Sequence, residues 1–500
     1  MDFDNNLIRA NELFGLKTIE SYREGNRLEV KRAKDGLPHS IWETYSAFAN
    51  TEGGVILLGV DERPDKSLDV LGLENPQKLE TDFWNLINNP NKVSANILTN
   101  SDVQILHVED REILSISVPR ASRDNRPLYL NKDVFSGAYR RNGEGDYHCS
   151  KDECLAMIRD QSGEGMDRSI VDTHGLDSLS EDTIMKYRNE FNIARKGHPW
   201  SRLNNEEFLM RLNAIKRSSD GLLHPTRAGL LMFGFAYRIA DEFPYYFLDY
   251  REVHPGDDRW SNRITSDSGE WSGNIYDFFY KVVPHLTSGF SRPFVLDSTM
   301  RRIDDTAMHK ALREALVNAL GHADYLLPRH VVIIKSEEMI EFANPGSLRI
   351  SAEVAFRGGI SDTRNPLIMT MFNLISIGEK AGSGFDIMRR ACDEMGLPYP
   401  MLEESFNPDR TRLTFKLNAQ TKTKEAAKRE ESSGNDKGLT VQEESVYQLF
   451  NQYSSIARKS VEDSLGVGKT RAALILKSLE DKGVIRPVGE GRARRYCPAH

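Results

Sequence analysis

The chain has little of several features that would fix its class at once. Its 500 residues include four cysteines, too few for a disulfide framework, which favours a reducing, cytoplasmic setting. The most apolar short run, residues 228–237, is too short to span a bilayer, and the acidic first ten residues lack the apolar core of a signal peptide. No membrane association is therefore expected. The formal net charge is −8, so nucleic-acid binding must come from local basic patches.

The length and the composition, 39% hydrophobic and 28% charged, predict a globular protein with several domains. Residues 1–160 hold short β-like runs around one helix, and residues 170–418 mix helices with strands. Residues 419–437 are charged and poor in apolar residues, which predicts a flexible linker. Residues 438–500 form a compact tail. The predicted fold class is α+β and multidomain.

The tail, residues 438–500, has the pattern of a winged helix-turn-helix. Three helical stretches precede "VIRPVGEGRARRYCP", which predicts two strands joined by a glycine-containing turn. In that fold a recognition helix and a basic hairpin contact nucleic acid. The residues expected to make these contacts are Lys469, Arg471, Arg492, Arg494 and Arg495. The other interpretation is a protein-contact module with a solvated, charged hairpin.

The segment "ALREALVNALGHADY", residues 311–325, predicts an amphipathic helix. Glu314, Asn318 and His322 recur every four residues and form one polar stripe. A glutamate can orient or deprotonate water, and an asparagine oxygen can hold magnesium against phosphates. A glycine-rich loop, residues 378–384, then enters a helix whose first backbone amides can cradle phosphate. Such a stripe is also typical of a solvated helix face.

The order of these features resembles a known ATPase superfamily. An E-x-x-x-N helix, a strand pair carrying "ANPG" and a glycine-rich lid follow each other as in the GHKL group of gyrase, histidine kinases and MutL. Residues 220–416 look more like the divergent ATP-binding domain of RecG-related bacterial proteins, which implies an α/β sandwich that binds ATP. The implied ATP-binding residues are Glu314, Asn318, His322, Asn344, Gly346, Gly382 and Gly384.

Individual roles follow from the same resemblance. Asn318 would bind magnesium, and Glu314 would polarise the attacking water as a catalytic residue. Gly346 would lie near the adenine, while the two glycines of the lid would close over the phosphates. One position departs from the superfamily, because Asn344 stands where an aspartate usually reads the adenine amino group.

The amino-terminal segment resembles the AlbA-type domain of Schlafen proteins. The motifs that carry this resemblance are "SAFANTEGGVILLGVDE" and "GAYRRNGEGDYHCSKDE", and the similarity covers residues 15–155. In nuclease members of that family three carboxylates bind a divalent metal and cleave RNA. The resemblance implies Glu24, Glu29 and Asp61 as catalytic metal ligands for Mg²⁺ or Mn²⁺, with Glu62 as the alternative to Asp61.

The chemistry of these residues is consistent with such a site. Carboxylates that converge repel each other, so a cation between them makes the cluster tolerable. Lys31 follows Glu29 by two residues, faces the same side of a strand and could steady a phosphate oxygen. The surrounding electrostatic track is expected to comprise Arg120, Arg123, Arg126, Arg140 and Arg141. The other interpretation is an exposed charged face.

Together these features predict a nucleotide-regulated, divalent-metal-dependent nuclease acting on RNA or DNA. ATP binding would change domain spacing or assembly, and a homo-oligomer is expected because ATPases of this superfamily often dimerise. A role in phage defence or stress would suit a gated nuclease. Two alternatives stay open: an ATP-sensing transcriptional regulator without catalysis, and an ATPase that remodels a nucleoprotein complex.

Overall fold

The chain is represented by a computed structural model, in which contacts divide the backbone into two units, Met1–Asn418 and Ala419–His500. Across the described ranges, no helix is both long and apolar enough to cross a bilayer. The described residues are 27–64, 68–108, 110–163, 165–254, 260–290, 295–296, 302–303, 306–360, 362–378, 384–406, 409–418, 446–447, 450, 455–465, 469–482, 484–488 and 495–498.

The elements of the first unit are numbered in chain order. The strands are β1 Leu28–Lys31, β2 Gly54–Leu58, β3 Val60–Glu62, β4 Leu68–Val70, β5 Val103–Val108, β6 Arg111–Val118, β7 Tyr139–Asn142, β8 Gly145–His148, β9 Ile215–Arg217, β10 Leu223–Pro225, β11 Leu248–Val253, β12 Asn262–Thr265, β13 Val295–Leu296, β14 Arg302–Ile303, β15 Val331–Ser336, β16 Met339–Pro345, β17 Met401–Ser405 and β18 Arg410–Lys416. The α-helices are α1 Ile41–Asn50, α2 Pro76–Ile87, α3 Val134–Gly137, α4 Lys151–Gln161, α5 Glu181–Ala194, α6 Asn205–Arg211, α7 Arg227–Phe233, α8 Ala236–Glu242, α9 Ile275–Leu286, α10 Ala307–His322, α11 Ala352–Arg357, α12 Pro366–Leu374 and α13 Gly384–Met395.

Residues 27–163, the amino-terminal lobe, surround a four-stranded sheet in the order β1-β2-β6-β5. Strand β1 runs parallel to β2, whereas β6 is antiparallel to both of its neighbours. All five residues of β2 are buried, as expected for the central apolar run "GVILL". Helix α1 is buried along nearly its whole surface and covers one face of this sheet. The pairing of β1 with β2 sets Glu29 opposite Ile56.

Residues 165–418, the second lobe, are built on a six-stranded sheet in the order β12-β11-β15-β16-β18-β17. Alternate sheet residues, including Tyr250 and Phe342, join the main hydrophobic core. Helix α10 contributes the apolar side of the predicted stripe to that core, with Leu312 and Leu316 fully buried. The helix begins after Thr306, whose side chain accepts a hydrogen bond from the His309 amide.

The second unit contains α14 Arg458–Leu465, α15 Lys469–Asp481, β19 Ile485–Val488 and β20 Arg495–Pro498. The two strands pair antiparallel, and Leu476 and Leu479 of α15 pack into a small core. Two of the three predicted helices and both predicted strands are thus among the described residues, whereas most of the first predicted helix lies outside them. The winged helix as a fold stays a prediction, and the predicted linker 419–437 lies outside the described residues.

Candidate nucleotide cleft and nucleic-acid domain

A cleft in the second lobe lies between α10, the sheet and α13. It holds about 920 Å³ of empty space, open solvent at its mouth included. The polar stripe of α10 forms one wall, because Glu314, Asn318 and His322 all line the cleft. Asn344 lines it from the sheet. The structure therefore gathers these four predicted ATP-binding residues around one space.

Gly384 begins α13 and faces the stripe of α10 at very short range. A Cβ atom at this position would lie 3.1 Å from Glu314 Oε1 and 3.2 Å from Asn318 Nδ2. The Asn318 amide donates a hydrogen bond of 3.1 Å to the same Glu314 oxygen. A larger residue at this position would require the buried Glu314 carboxylate and the half-buried Asn318 amide to shift by a few tenths of an ångström. The other lid glycine, Gly382, lies outside the described residues.

On the sheet side of the cleft, the two predicted ATP-binding residues Asn344 and Gly346 occupy different positions. Thr411 lies opposite Asn344 in the β16–β18 pairing and also lines the cleft. Its hydroxyl donates a hydrogen bond of 2.8 Å to the Gly346 carbonyl. Gly346 itself has φ +99° and packs on Arg364, whose Nη1 would lie 2.8 Å from an added Cβ. Gly346 is not among the lining residues, so it shapes the turn behind the cleft.

His322 is a neutral group in the wall of the cleft. Burial, and then the positive charges of Arg364 and Arg349, lower its pKa to about 4. Near neutral pH this histidine therefore adds no positive charge for a phosphate.

Glu29 in the amino-terminal lobe is held by two cations. Its Oε1 accepts from Lys31 Nζ at 3.0 Å, and its Oε2 accepts from Arg141 Nη2 at 3.0 Å. Arg141 also donates to Asp146 at 2.9 Å and is buried at its guanidinium. Lys31 and Glu29 share a side of β1, as the alternation predicts, but the lysine contacts the glutamate.

Asp61 lies on β3 and contacts a different cation. Its Oδ2 is 2.6 Å from Arg32, and this contact holds the pKa of the Asp61 carboxyl below its usual value. Glu62 follows at the end of the same strand. In the part of the chain that the structure describes, no three histidine, cysteine, aspartate or glutamate side chains gather closely enough to hold a metal ion. Glu24, the third predicted ligand, lies outside the described residues.

Four of the five arginines expected to form a phosphate track contact the second lobe. Arg140 is buried and donates from Nη2 to Asp409 at 2.9 Å, with a second contact from Nη1. Arg120 donates to Glu404 at 3.0 Å and to the Leu348 carbonyl at 2.9 Å. Both guanidinium groups are therefore engaged by carboxylates of the second lobe, and a role for these arginines in binding nucleic acid stays a prediction.

Arg123 and Arg126 also face the second lobe. Arg123 Nε lies 2.6 Å from Asp362, a residue that lines the cleft. Arg126 is buried, and its Nε and Nη1 have no hydrogen-bond partner. Burial, and then the nearby charge of Arg120, lower the pKa of Arg126 to about 9. All five arginines of the predicted track are thus fixed within the unit.

A buried ion pair near the end of α4 completes the junction. Arg364 donates from Nε and Nη2 to the two oxygens of Asp160, at 2.9 and 2.7 Å. Arg349, which lines the cleft, donates to the backbone carbonyl of Asp160 at 3.1 Å and lies 3.4 Å from Asp362. The wall of the cleft and the last helix of the amino-terminal lobe are therefore in direct contact.

The lobe that carries Glu29 and these arginines matches a known family. The family described as "Schlafen, AlbA_2" matches residues 24–150. The chain contains a Schlafen AlbA_2 domain. The family described as "Putative ATP-dependent DNA helicase recG C-terminal" matches residues 329–415, and a domain of unknown function, DUF8451, matches residues 155–249. The resemblance to the Schlafen AlbA-type domain is thereby confirmed, and the resemblance to the RecG-related domain is confirmed for residues 329–415.

Two solved structures are similar to the chain at low superposition scores. The DIP2311 protein from Corynebacterium diphtheriae is 16% identical over 98% of this chain and 100% of its own, with a TM-score of 0.40. The N-terminal domain of a RecG-related protein from Nitrosomonas europaea is 29% identical over 30% of this chain and 94% of its own, with a TM-score of 0.21. Neither superposition is close enough to assign the fold. The matched families point to a function connected with nucleic acid and with ATP.

The predicted contacts in the second unit are described only in part. Lys469 begins α15 and is exposed. Arg495 begins β20, is exposed and donates to the Ser455 carbonyl at 3.1 Å. Arg471 lies on α15, whereas Arg492 and Arg494 lie outside the described residues.

The sequence interpretation missed three polar residues of the cleft. All three line the cleft, yet they come from different elements. Arg349 lies on a turn, Asp362 on a loop and Thr411 near the start of β18. No periodic pattern connects them with the stripe of α10. Only the threonine carried a usable signal, because the pairing of two strands would set it opposite Asn344.

Proposed function

We propose that the protein binds ATP in the cleft of the second lobe and that the bound nucleotide controls how the AlbA_2 domain engages nucleic acid. The observation that carries this proposal is the close approach of Gly384 to Glu314 and Asn318. A helix amino terminus presents free backbone amides and a partial positive charge, which favour phosphate. Here that terminus borders the cleft beside a carboxylate and an amide, since Gly384, Glu314 and Asn318 all line it.

The donor set of the cleft fits a magnesium nucleotide. Magnesium prefers oxygen ligands and is commonly bound by one or two protein oxygens together with substrate phosphates. Glu314 and Asn318 can supply those oxygens, and the metal would neutralise phosphate charge when bound. In the proposal Glu314 orients a water molecule, Asn344 contacts the base and the start of α13 contacts the phosphates.

The junction between the lobes supports regulation by the nucleotide. Asp362 lines the cleft and pairs with Arg123 of the AlbA_2 domain, while Arg349 contacts both Asp362 and the end of α4. A ligand that changes the position of Asp362 changes what Arg123 contacts. Binding in the cleft and binding on the AlbA_2 domain are then linked by a reciprocal coupling free energy.

The direct test measures nucleotide affinity. A fluorescent ATP analogue is titrated with Mg²⁺ into the full chain and into Asn318→Ala, with Asn205→Ala, an exposed asparagine of α6, as the matched control. The proposal expects loss of binding of at least tenfold in Asn318→Ala and on magnesium removal, and no change in the control. Equal affinity of wild type and Asn318→Ala would refute it.

The metal-dependent nuclease stays a prediction for the AlbA_2 domain. As described, Glu29 and Asp61 are occupied by cationic side chains and do not fit a divalent ion. For cleavage, Lys31 and Arg141 would have to release the Glu29 carboxylate and contact a phosphate of the substrate instead. The predicted role in phage defence or stress and the predicted homo-oligomer likewise remain expectations.

Cleavage is tested separately from nucleotide binding. Labelled tRNA, single-stranded RNA and duplex DNA are incubated with Mg²⁺ or Mn²⁺, with and without ATP. Metal-dependent products that disappear in Glu29→Gln and persist in Glu112→Gln, a partly exposed glutamate of β6, would establish the nuclease. Sequence-specific retention of duplex DNA without products would favour the transcriptional regulator.

A further inference from the structure

The six-stranded sheet of the second lobe has two unlike faces. Every second residue, such as Ile333, Phe342 and Phe415, points into the core beneath the helices. The opposite face carries half-buried Val332 and Ile334 in its centre. Around them lies a group that we call the arginine face, and it comprises Arg251, Arg263, Arg329, Arg410 and Arg412.

The side chains of the arginine face are accessible to solvent. Arg251 is 33% exposed and Arg412 is 42% exposed. Arg329, two residues before β15, is exposed, and Arg410 is half-buried. Burial, and then the charge of Arg412, lower the pKa of Arg410, with Arg329 and Arg251 adding to the effect. The arginines therefore lie close enough to repel each other.

The carboxylates on this face do not balance the arginines. Arg251 and Arg263 share one carboxylate, that of Asp249, and Arg412 lies 3.1 Å from Glu341. Among the described residues, neither Arg329 nor Arg410 forms a salt bridge, although Glu341 acts on Arg410 through its charge. Glu403 lies opposite Arg412 on the neighbouring strand, so five arginines against three carboxylates leave a net charge of about +2, in a chain whose formal net charge is −8.

An aromatic ring adjoins the positive charge. Trp260 is 41% exposed, and its ring lies 4.5 Å from the Arg263 guanidinium and 5.7 Å from that of Arg251. Exposed aromatic rings beside arginines provide stacking surfaces for unpaired bases. The carboxylates of an acidic peptide could pair with the arginines, but they would make no stacking contact with the Trp260 ring.

The arginine face continues into a groove that reaches the AlbA_2 domain. Arg412 lines this groove together with Glu403 and Ser405 of β17, and Arg27 and Glu52 line it from the amino-terminal lobe. The ion pair of Arg120 and Glu404 also lines it, so the groove carries both charges. Arg27 lies immediately before β1, the strand that carries the candidate nucleic-acid residues of that domain. A strand that leaves the AlbA_2 domain along the groove reaches the arginine face directly.

We propose that the arginine face is a second nucleic-acid surface, which binds the backbone of a single strand while Trp260 stacks on a base. This proposal rests on the proposed function, which gives nucleic acid as the partner. It adds a binding site outside the residues that match the AlbA_2 family. Guanidinium groups pair with phosphate oxygens in a planar, bidentate geometry. On this face Arg329 is exposed and the Arg412 side chain is 42% exposed, so a phosphate can reach both.

The test uses the full chain and a fluorescein-labelled oligothymidylate of about 20 nucleotides, long enough to cover more than one site of this kind. Affinity is measured by fluorescence anisotropy over a salt series for Arg410→Ala/Arg412→Ala, Arg410→Lys/Arg412→Lys and Trp260→Ala. The matched control is Arg211→Ala, an exposed arginine at the end of α6. Thermal unfolding and ATP affinity are recorded for every variant.

The double alanine variant is expected to bind at least tenfold more weakly and to lose about 1.4 from the salt slope, since each phosphate contact with a single strand contributes about 0.7. The double lysine variant keeps the slope, Trp260→Ala binds about tenfold more weakly, and the control is unchanged.

Wild-type affinity in the double alanine variant, or no binding of the oligonucleotide by wild type, overturns the proposal. Poly-glutamate is titrated as a second probe. If the double alanine variant loses affinity for poly-glutamate but keeps wild-type affinity for the oligonucleotide, the face binds an acidic protein instead. A failure of the ATP proposal is distinct, because it appears in the ATP titration.

Discussion

Gly384 is the residue whose replacement tests the cleft most directly. Gly384→Ala places a Cβ about 3 Å from Glu314 and Asn318, so either these side chains or the start of α13 must shift by a few tenths of an ångström at the proposed phosphate position. We expect ATP affinity to fall at least tenfold while the thermal midpoint changes little, as measured by titration and by calorimetry. Gly163→Ala is the matched control, because nothing lies within 4 Å of its Cβ position. An equal effect of both substitutions would contradict a phosphate site at this glycine.

His322 gives the cleft a pH signature. Its folded pKa of about 4 lies below the value of about 6.5 expected for the unfolded chain. The protonated form is therefore disfavoured by folding. Above pH ~6.5 the histidine is neutral in both states and the free energy of unfolding is at its full value. As the pH falls from ~6.5 toward ~4, protonation of the unfolded chain lowers the free energy of unfolding by about 2–3 kcal/mol.

Replacing the histidine removes this dependence. His322→Gln should flatten the free energy of unfolding between pH ~4 and ~6.5, measured by urea denaturation. The exposed His39 is the control, and His39→Gln should leave the pH profile as in wild type. Superimposable profiles for wild type and His322→Gln would show that this side chain is not buried as described.

At the scale of elements, α4 anchors the junction between the lobes. Asp160 near its end receives two hydrogen bonds from the buried Arg364. Asp160→Asn leaves that guanidinium without a charged partner, and loss of one partner of a buried pair costs about 3–5 kcal/mol. Urea denaturation should show this loss, whereas Asp152→Asn, exposed on the same helix, should remain within about 0.5 kcal/mol. A small effect at Asp160 would mean that water reaches the pair.

At the scale of the whole molecule, the Arg123–Asp362 pair connects the two candidate functions. Arg123→Ala should retain ATP binding and oligonucleotide binding when each is measured alone. The factor by which ATP changes oligonucleotide affinity should fall toward one, because the contact at the cleft wall is gone. Lys78→Ala removes an exposed cation of α2 and should keep the wild-type factor. Undiminished coupling in Arg123→Ala would place the link elsewhere in the junction.

Local patterns in the sequence were enough to identify much of the second lobe. The four-residue recurrence of Glu314, Asn318 and His322 predicts a single helix face, and all three line one cleft. The motifs around residues 46–62 and 137–153 likewise identify the AlbA_2 domain. Such features depend on neighbours a few positions apart, so periodicity and motif order reveal them.

Tertiary structure alone decided what the arginines of the AlbA_2 domain do. Their sequence suggests a phosphate track, yet Arg140 contacts Asp409 and Arg120 contacts Glu404. Each pair is separated by more than 260 positions, so no local pattern could show that the charges neutralise each other. A cluster of partly exposed arginines lies instead on the opposite face of the second sheet. The sequence by itself determined which groups can bind phosphate, and packing decided which of them remain accessible, because a guanidinium serves a carboxylate as readily as a phosphate.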